Sequence, residues 1–440
     1  MSKYLPEPQK VDSKAGFLFL MLYTLSILMR PHEWSIDGIE FPYIRILLIL
    51  SFVFYLLQQK PKNFSVHTGC LLGLIIIVLL SGVRNSWLMG GVYSATGFVI
   101  AVIIPYLLFT SLLYDQTRIR KIIASCLMAS GVMLAHGYSQ LSSPIGVGWS
   151  GEGLSQGTRI SFLGIFNDPN DLGMYLLINI PFAIYFYNST KNTTIKILMA
   201  SMVFLLLWGI YKTNSRGSLV GVLSLIAVYG YFRYGKMKAI LIGGISLPIV
   251  TIVLGMFREI DSEEQSAGQR IEAWYTAIDL FKGHPFVGVG MGNFTEYHYL
   301  TAHNSYALVL AELGIFGYVL WFIVTVFPLY KLFEIMQNRV QVSTNKEKLW
   351  NEHFEQSKLL ASALFYAMIG FLATAFFISR SYSIIWMIIV SISMAHVFYI
   401  DNKYATNEDI RRINQTIIKK VVLMSFFSLI AFYVIVRVLM

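Results

Sequence analysis

Long apolar runs recur along the whole chain, and no other feature of the sequence limits the possible folds so strongly. The runs are about 16 to 24 residues long, and about 20 residues of helix, rising 1.5 Å each, cross the hydrocarbon core of a bilayer. Hydrophobic residues make up 56% of the 440 residues and charged residues only 13%, against roughly 25% charged in an ordinary soluble domain. We therefore predict an all-α polytopic membrane protein with about 12–13 transmembrane helices.

The distribution of Lys and Arg predicts how these helices are oriented. If the amino terminus lies in the cytoplasm, 23 of the 34 basic residues fall on the cytoplasmic side, and the opposite orientation inverts this excess. The net charge of +10 is then mostly a topology signal, so no nucleic-acid partner is expected. The first apolar stretch is not followed by a small-residue cleavage site, and we interpret it as a retained helix.

The connections between the predicted spans differ greatly in length. With the amino terminus inside, residues 258–302 form a 45-residue outer loop, and the highly charged residues 331–357 form a cytoplasmic loop, interpreted as a solvated connector. The sixth apolar segment, Ile160–Tyr187, is too long for one straight crossing. A re-entrant or interfacial piece is therefore expected before a helix that starts near Leu172. No linker or repeat divides the chain, so residues 1–440 are predicted to form a single membrane domain.

The outer loop contains a predicted amphipathic helix. Ser266 and Gln269 fit a capping box, in which a serine accepts from the backbone and a glutamine reaches back. Apolar residues then recur at helical spacing up to Phe281, and Gly283 and Pro285 are expected to end the helix. Such a helix is expected to lie on the membrane surface or over a cavity.

Two candidate features follow this helix in the loop. Gly288, Gly290 and Gly292 favour a turn that needs positive φ, and the alternative is a cradle whose N–H groups bind phosphate. His303 lies where the loop meets the next span, and a partly desolvated histidine there is suited to act as a general base. From its position alone, a histidine that merely hydrogen-bonds the helix end is the favoured interpretation.

Outer arginines suggest a binding site for an anion. Arg159, Arg216, Arg270 and Arg380 belong to four separate outer connections, and a lone arginine at the centre of a membrane helix costs roughly 2.5–3.5 kcal/mol on insertion scales. Each alone could reach lipid headgroups. Together they could converge on one polyanion, because the planar guanidinium suits phosphate. Ser215 adds a small hydrogen-bond donor beside Arg216.

The acidic residues of the sixth segment are weaker candidates for chemistry. Asp168 and Asp171 would form a thin ligand set for a divalent cation, and a helix N-cap at Asp171 is the favoured role. Neither Cys70 nor Cys126 has a neighbouring histidine or acid at ligand spacing, so no metal site is expected.

The residues from His303 onward resemble a family signature. His-Asn, nine further residues, Gly, two residues and a second Gly are similar to the pattern H-[NSQ]-x9-G-x2-[GTY] of the O-antigen ligase and O-oligosaccharyltransferase superfamily, to which O-antigen polymerases also belong. The glycine run at 288–294, the Ser215–Gly217 turn and the acidic run at 168–171 also resemble that family's pattern. In addition, Arg30–Trp34 resembles the start of the O-glycosylation ligases associated with exosortase systems.

The resemblance implies a metal-independent membrane glycosyltransferase without a cofactor in the bacterial inner membrane. Such enzymes take a glycan from an undecaprenyl-pyrophosphate carrier at the periplasmic face and pass it to a hydroxyl of a lipid, glycan or protein acceptor. His303 is then implied as the base or as an acceptor-orienting residue, and Arg216 and Arg270 as pyrophosphate contacts. The charge argument adds Arg159 and Arg380 to the donor site. The remaining predicted substrate-binding residues are Asn304, Gly290, Gly292 and Ser215.

Two alternatives to a glycan ligase remain at this point. A repeat-unit polymerase of O-antigen or exopolysaccharide would use the same residues. A transporter or flippase of lipid-linked sugars could also hold an anion with outer arginines. Transporters usually contain repeats and a midplane site, whereas here no repeat is found and the charged positions cluster at one face.

Overall fold

The computed structural model describes residues 12–34, 41–59, 63–235, 261–337, 347–405 and 407–439. In this part of the chain every regular element is a helix, which confirms the predicted all-α fold class. The α-helices in chain order are α1 (Lys14–Met29), α2 (Tyr43–Gln58), α3 (Val66–Arg84), α4 (Leu88–Phe98), α5 (Ile104–Leu112), α6 (Gln116–Ser142), α7 (Pro169–Ser189), α8 (Thr193–Thr213), α9 (Arg216–Tyr234), α10 (Asp261–Gly283), α11 (Ser305–Met336), α12 (Glu347–Ala375), α13 (Ile384–Tyr404) and α14 (Asn407–Leu439).

Ten helical segments of the described residues are long and apolar enough to cross a membrane, so the chain is a multi-pass membrane protein. α4 and α5 form one of them, joined by the π-helical segment Val99–Ile103. Two further predicted spans correspond to α2, which has 16 residues, and to α7. The predicted ninth span, Ala239–Phe257, lies outside the described residues.

Burial separates central helices from peripheral ones. In the most apolar 18-residue stretch of each helix, 83% of the residues are buried in α13 and 78% in α11, against 17% in α8 and 22% in α14. α7 is also buried along most of its length and packs against α8, α9 and α12. Thus α7, α11 and α13 form the centre of the bundle, and the outer helices expose the apolar faces that a bilayer would cover.

The long sixth segment divides as predicted into an irregular piece and a helix. Residues before Asp168 are not α-helical and contain only a 3-10 turn, Gly164–Phe166. The helix begins at Pro169 and not near Leu172. Its N-cap is Asp168, whose carboxylate accepts from Asn170 N at 2.8 Å, so the predicted cap at Asp171 is wrong. Proline at the first helical position, directly after an aspartate, is a recognised helix start.

The outer-loop helix is longer than the capping-box pattern predicted. α10 already runs from Asp261, so Ser266 lies inside the helix and does not cap it, whereas the predicted end at Gly283 is confirmed. An exposed glycine such as Gly268 lowers helix stability by about 1 kcal/mol but does not stop a helix. The apolar face of α10, which includes Trp274, packs against α11 and α14. The helix is therefore fixed to the bundle.

At the opposite end of the bundle, the helices extend into the predicted cytoplasmic loop. α11 continues to Met336 and α12 begins at Glu347, so the connection between them is shorter than residues 331–357. Lys331 is buried and its Nζ lies 2.9 Å from both carboxylate oxygens of Asp401 in α13. This ion pair joins the carboxyl-terminal parts of two central helices.

Candidate active site

Four helices begin at one end of the bundle, and the site lies among these starts. Their N-cap residues are Asp168 of α7, Ser215 of α9, Asn304 of α11 and Ser383 of α13. Gly217 in the first turn of α9 approaches the α12–α13 loop so closely that a Cβ would lie 2.9 Å from Cβ of Phe377. Ser305 at the start of α11 accepts from Arg380 N in the same loop at 2.9 Å. The N-terminal end of each of these four helices carries partial positive charge, which favours an anion placed at its first turn.

Backbone contacts on both sides fix the position of His303. Trp274 of α10 donates through Nε1 to Ala302 O at 3.0 Å, and Thr301 Oγ1 donates to Ser379 Oγ at 2.5 Å. His303 N donates to Thr301 Oγ1 at 3.3 Å, and His303 itself has φ of 45°. A residue other than glycine in this region is uncommon and costs free energy, and such residues cluster at functional sites.

Three of the predicted arginines lie close to one another. Arg159 donates through Nε to Thr213 O at 2.9 Å, which holds it beside the end of α8. Burial lowers the pKa of Arg159. The negative charge of Asp168 opposes this shift, and the positive charge of Arg270 lowers the pKa further. Burial likewise lowers the pKa of Arg270, and the positive charge of Arg216 lowers it further. Such mutual effects act between charges in one neighbourhood, so Arg159, Arg216 and Arg270 share one electrostatic environment.

The fourth arginine, Arg380, is held by a buried carboxylate. Its Nε donates to Asp171 Oδ1 at 2.6 Å and its Nη2 to the other carboxylate oxygen. The Asp171 side chain is fully buried, whereas the Arg380 side chain is 35% exposed. This hydrogen bond raises the pKa of Arg380, against the effect of burial. The pair leaves part of the guanidinium facing outward at the end where the other arginines lie.

His303 shares this environment. Burial lowers its pKa below the ordinary value of 6.5, Arg270 lowers it further, and Asp168 opposes the shift. Asp168 also affects the pKa of Arg159, Arg270 and Arg380. Asp168 is therefore the carboxylate that all four groups share. The sequence prediction did not give Asp168 this role, because it assigned the helix cap to Asp171. Four arginines stand against the two carboxylates of Asp168 and Asp171, so the cluster carries a net positive charge.

The glycine-rich turn supports the site and does not form a phosphate cradle at Gly290. α11 is broken at Gly314, which has φ of 61° and ψ of −163°. The break frees backbone groups, and the segment before the turn pairs with them: Val289 N donates to Ala311 O at 3.0 Å and Gly290 N to Glu312 O at 2.9 Å. The amide of Gly290 is thus already used. The three glycines of the turn have positive φ, as the favoured interpretation required.

Ser215, Asn304 and Gly292 are also placed differently from the predicted substrate contacts. Ser215 is buried and its hydroxyl accepts from Ser218 N at 3.3 Å as the cap of α9. The Asn304 carbonyl oxygen accepts from Tyr306 N at 2.9 Å as the cap of α11. Gly292 lines a separate apolar cavity between α2 and α4. Ser215 and Asn304 thus position the starts of α9 and α11.

Two further side chains near the site were not selected from the sequence. Glu312 is only 3% exposed, and its carboxylate accepts from Phe294 N at 3.4 Å. His298 is buried in the loop between the glycine turn and His303, and its charge affects the pKa of His303. A single histidine in a loop is too common to have been selected, whereas an acidic residue inside an apolar membrane helix is rare, and Glu312 could have been selected on that ground.

Comparison with known proteins finds a similarity in this region. A sequence model described as O-antigen ligase matches residues 201–322, which include Arg216, Arg270 and His303. Residues 201–322 are thus similar to the O-antigen ligase family. Arg159 and Arg380, which the charge argument added, lie outside the segment matched to the O-antigen ligase family. The structure nevertheless brings them to the same end of the bundle.

A curated relative agrees with the O-antigen ligase assignment. The chain is 28% identical over 242 residues to "Teichuronic acid biosynthesis protein TuaE" of Bacillus subtilis (strain 168). The alignment covers 48% of this chain and 46% of that relative, so the chain spans about half the length of the curated relative it matches. Neither match distinguishes the exosortase-associated subfamily predicted from Arg30–Trp34. In the structure Trp34 packs against Trp149, with ring centroids 6.2 Å apart.

Proposed function

We propose that this protein transfers a glycan from an undecaprenyl-pyrophosphate carrier to an acceptor hydroxyl at the periplasmic face of the bacterial inner membrane. The main support is the convergence of Arg159, Arg216, Arg270 and Arg380 beside His303. A pyrophosphate carries several negative charges, which suit a group of planar guanidinium donors. The orientation follows from the Lys and Arg distribution, which places the starts of α7, α9, α11 and α13 outside.

The arginines would act on the leaving group. When the acceptor oxygen bonds to the anomeric carbon, the bond between that carbon and the phosphate oxygen breaks, and negative charge grows on the pyrophosphate. Fixed cationic donors in a partly buried site stabilise such developing charge. Arg159, Arg216 and Arg270 lie together, and Arg380 is aligned by Asp171. The reaction then needs no group other than these side chains to accept the charge.

His303 would act on the acceptor. The acceptor hydroxyl must lose its proton as it attacks, and a histidine can take that proton only in its unprotonated form. Burial and Arg270 lower the pKa of His303, which keeps the imidazole unprotonated near neutral pH. The hydrogen bonds of Ala302 O with Trp274 and of the Thr301 hydroxyl with Ser379 hold the residue at the helix start. The same neighbours that bind the donor therefore also prepare the base.

The decisive experiment is transfer by purified protein in proteoliposomes. Donor and acceptor fractions are extracted from a strain that lacks this protein, where both accumulate unreacted. We expect His303→Ala to lower the transfer rate by about 10²–10⁴, the usual contribution of a general base. The matched control is His32→Ala, because His32 contacts Tyr43 and Glu33 and takes no part in the site. Normal transfer by folded His303→Ala would refute the proposal.

The donor role of the arginines is tested in the same assay. Arg216→Ala and Arg270→Ala should each lower kcat/KM for the donor by about 10²–10³, as loss of a charge-stabilising donor does elsewhere. Arg84→Ala is the control, since Arg84 is exposed at the end of α3. Product length separates single ligation from repeat-unit polymerisation. Movement of the lipid-linked donor across the vesicle membrane without a covalent product would support a flippase and contradict the proposal.

A further inference from the structure

His298 is a second buried histidine in the loop that carries His303. It is 8% exposed and packs beside Phe294, with ring centroids 6.1 Å apart. Its Nδ1 lies 3.1 Å from Leu300 N and 3.0 Å from Leu300 O. One nitrogen of the imidazole is therefore occupied by the backbone two residues further along the chain. This contact fixes the direction in which the ring points.

The other ring nitrogen is not satisfied by the protein. Nε2 of His298 is buried and has no hydrogen-bond partner among the described residues. Most buried polar side-chain atoms in native proteins are hydrogen-bonded, so an exception requires a physical reason. A ligand that supplies the missing partner when it binds would provide one. In the same stretch, Nδ2 of Asn304 is also buried without a partner.

His298 precedes His303 in the same loop, between the 3-10 turn at Phe294 and the start of α11. The hydrogen bonds of Ala302 O and of the Thr301 hydroxyl then hold the end of this loop at the start of α11. The ring of Tyr299 stacks on His298 with centroids 4.6 Å apart, and Tyr299 is 65% exposed. An exposed side chain changes rotamer within nanoseconds, so Tyr299 can move and open a path to the imidazole.

We propose that Nε2 of His298 hydrogen-bonds a hydroxyl of the acceptor sugar and holds that sugar beside His303. This inference rests on the proposed function and assigns the acceptor subsite within it. A hydroxyl both donates and accepts, so it can pair with Nε2 in either tautomer of the imidazole. A phosphate oxygen only accepts, and the guanidinium groups already provide cationic donors for it. His298 is thus a substrate-binding residue with a role distinct from that of the arginines.

Two substitutions separate this role from a purely structural one. The amide nitrogen of glutamine lies close to the position of Nε2, and the amide of asparagine close to that of Nδ1. His298→Gln therefore keeps a group at the open position, whereas His298→Asn keeps the contact to Leu300 and loses the open nitrogen. The assay uses donor and acceptor extracts of the strain that lacks this protein, and each extract is diluted in turn.

The expected result is a change confined to the acceptor. His298→Asn should raise the KM for the acceptor extract by about tenfold, the effect of one lost hydrogen bond to a substrate hydroxyl, and leave the KM for the donor extract unchanged. His298→Gln should stay within about threefold of the unmodified protein. An unchanged acceptor KM in His298→Asn would overturn the inference. So would a normal acceptor KM in His298→Asn combined with a raised acceptor KM in His298→Gln.

A binding measurement distinguishes this inference from the proposed function. In the His303→Ala background, retention of the acceptor extract on immobilised proteoliposomes reports binding without turnover. Addition of His298→Asn should lower that retention about tenfold, and addition of His298→Gln should not. If His303→Ala transfers normally, the proposed base role fails. If both double variants retain the acceptor equally, the role of His298 fails while the proposed function stands.

Discussion

The ion pair between Arg380 and Asp171 allows a structural role and a donor-binding role to be separated in one experiment. Arg380→Ala removes the partner of a carboxylate whose side chain is completely buried. It also removes one of the four guanidinium groups of the proposed donor site. Asp171→Asn in the same chain then removes the unpaired negative charge but does not restore the guanidinium. Comparison of the single and double variants therefore assigns each effect.

The size of the expected change follows from the burial of the pair. Removal of one partner from a buried ion pair costs about 3–5 kcal/mol, because a charge is left in a medium of low dielectric constant. The Arg380 side chain is 35% exposed, so water screens part of the interaction. We therefore expect Arg380→Ala to lower the free energy of unfolding by about 3 kcal/mol, the lower limit of that range. The double variant should recover more than half of this loss.

The assay combines an unfolding titration in mixed micelles with the transfer measurement in proteoliposomes. Arg380→Ala should lose both stability and transfer, and Arg380→Ala/Asp171→Asn should regain stability while transfer stays at least about tenfold low. The matched control is the Lys331–Asp401 pair at the other end of the bundle, whose side chains are 6% and 9% exposed. There the single variant Lys331→Ala should be destabilised, and Lys331→Ala/Asp401→Asn should regain stability and transfer together.

One result would refute the reasoning about Arg380. If Arg380→Ala/Asp171→Asn recovers transfer in proportion to its stability, the arginine only neutralises Asp171. The donor site would then consist of the other three arginines. If the single variant loses transfer without losing stability, the buried carboxylate has found another partner, and the calculated 3 kcal/mol is wrong.

Three further predictions concern the loop and its histidine. Gly288→Ala should lower the free energy of unfolding by more than about 2 kcal/mol in the same titration. The φ of Gly288 is 69°, and a Cβ there would lie 2.2 Å from the Glu312 carbonyl carbon. Gly268 has no atom nearby, so Gly268→Ala should be neutral or stabilising. Transfer should be lost as pH falls through the lowered pKa of His303 and be complete above it, so the acidic midpoint should lie below 6.5. Arg270→Ala should move that midpoint upward, and an unmoved midpoint in pH–rate profiles would contradict the assignment. Glu312→Leu should lower kcat about tenfold with unchanged donor KM, because it loses a hydrogen bond of about 1.5 kcal/mol to the histidine loop; Glu312→Gln should restore kcat.

The position of the arginines at one end of the bundle could be predicted from the sequence because it depends only on topology. Arg159, Arg216, Arg270 and Arg380 fall on connections at the same end of an antiparallel set of helices, and the Lys and Arg excess predicts that this end is the outer one. Helices that cross a membrane must return to the same two surfaces, so residues far apart in sequence share one of them. The distance between any two of the arginines, by contrast, depends on helix packing.

The roles of individual polar residues could not be predicted so well, because one residue type serves several purposes. Asp168 and Asp171 both precede apolar residues, and either could cap a helix. Pro169 after Asp168 was the available signal, since proline is favoured at the first helical position. Ser215 and Asn304 likewise had donors and acceptors suited to a ligand. In the folded chain the backbone of the next helical turn uses the oxygen of each.

The spacing of the family signature has a structural explanation, because it sets where the loop that carries His303 is anchored. Asn304 starts α11, and Gly314 breaks the same helix after nine further residues, which leaves backbone groups on both sides of the break without helical partners. The segment from Pro285 to Gly290 pairs with these backbone groups. Ile315 N donates to Pro285 O at 2.8 Å, and Gly290 N donates to Glu312 O. The loop from α10 to His303 is thereby anchored at the break as well as at the helix start. The distance from His303 to Gly314 thus sets where the loop is held, so insertion of one residue between them should abolish transfer even though His303 and every arginine are retained.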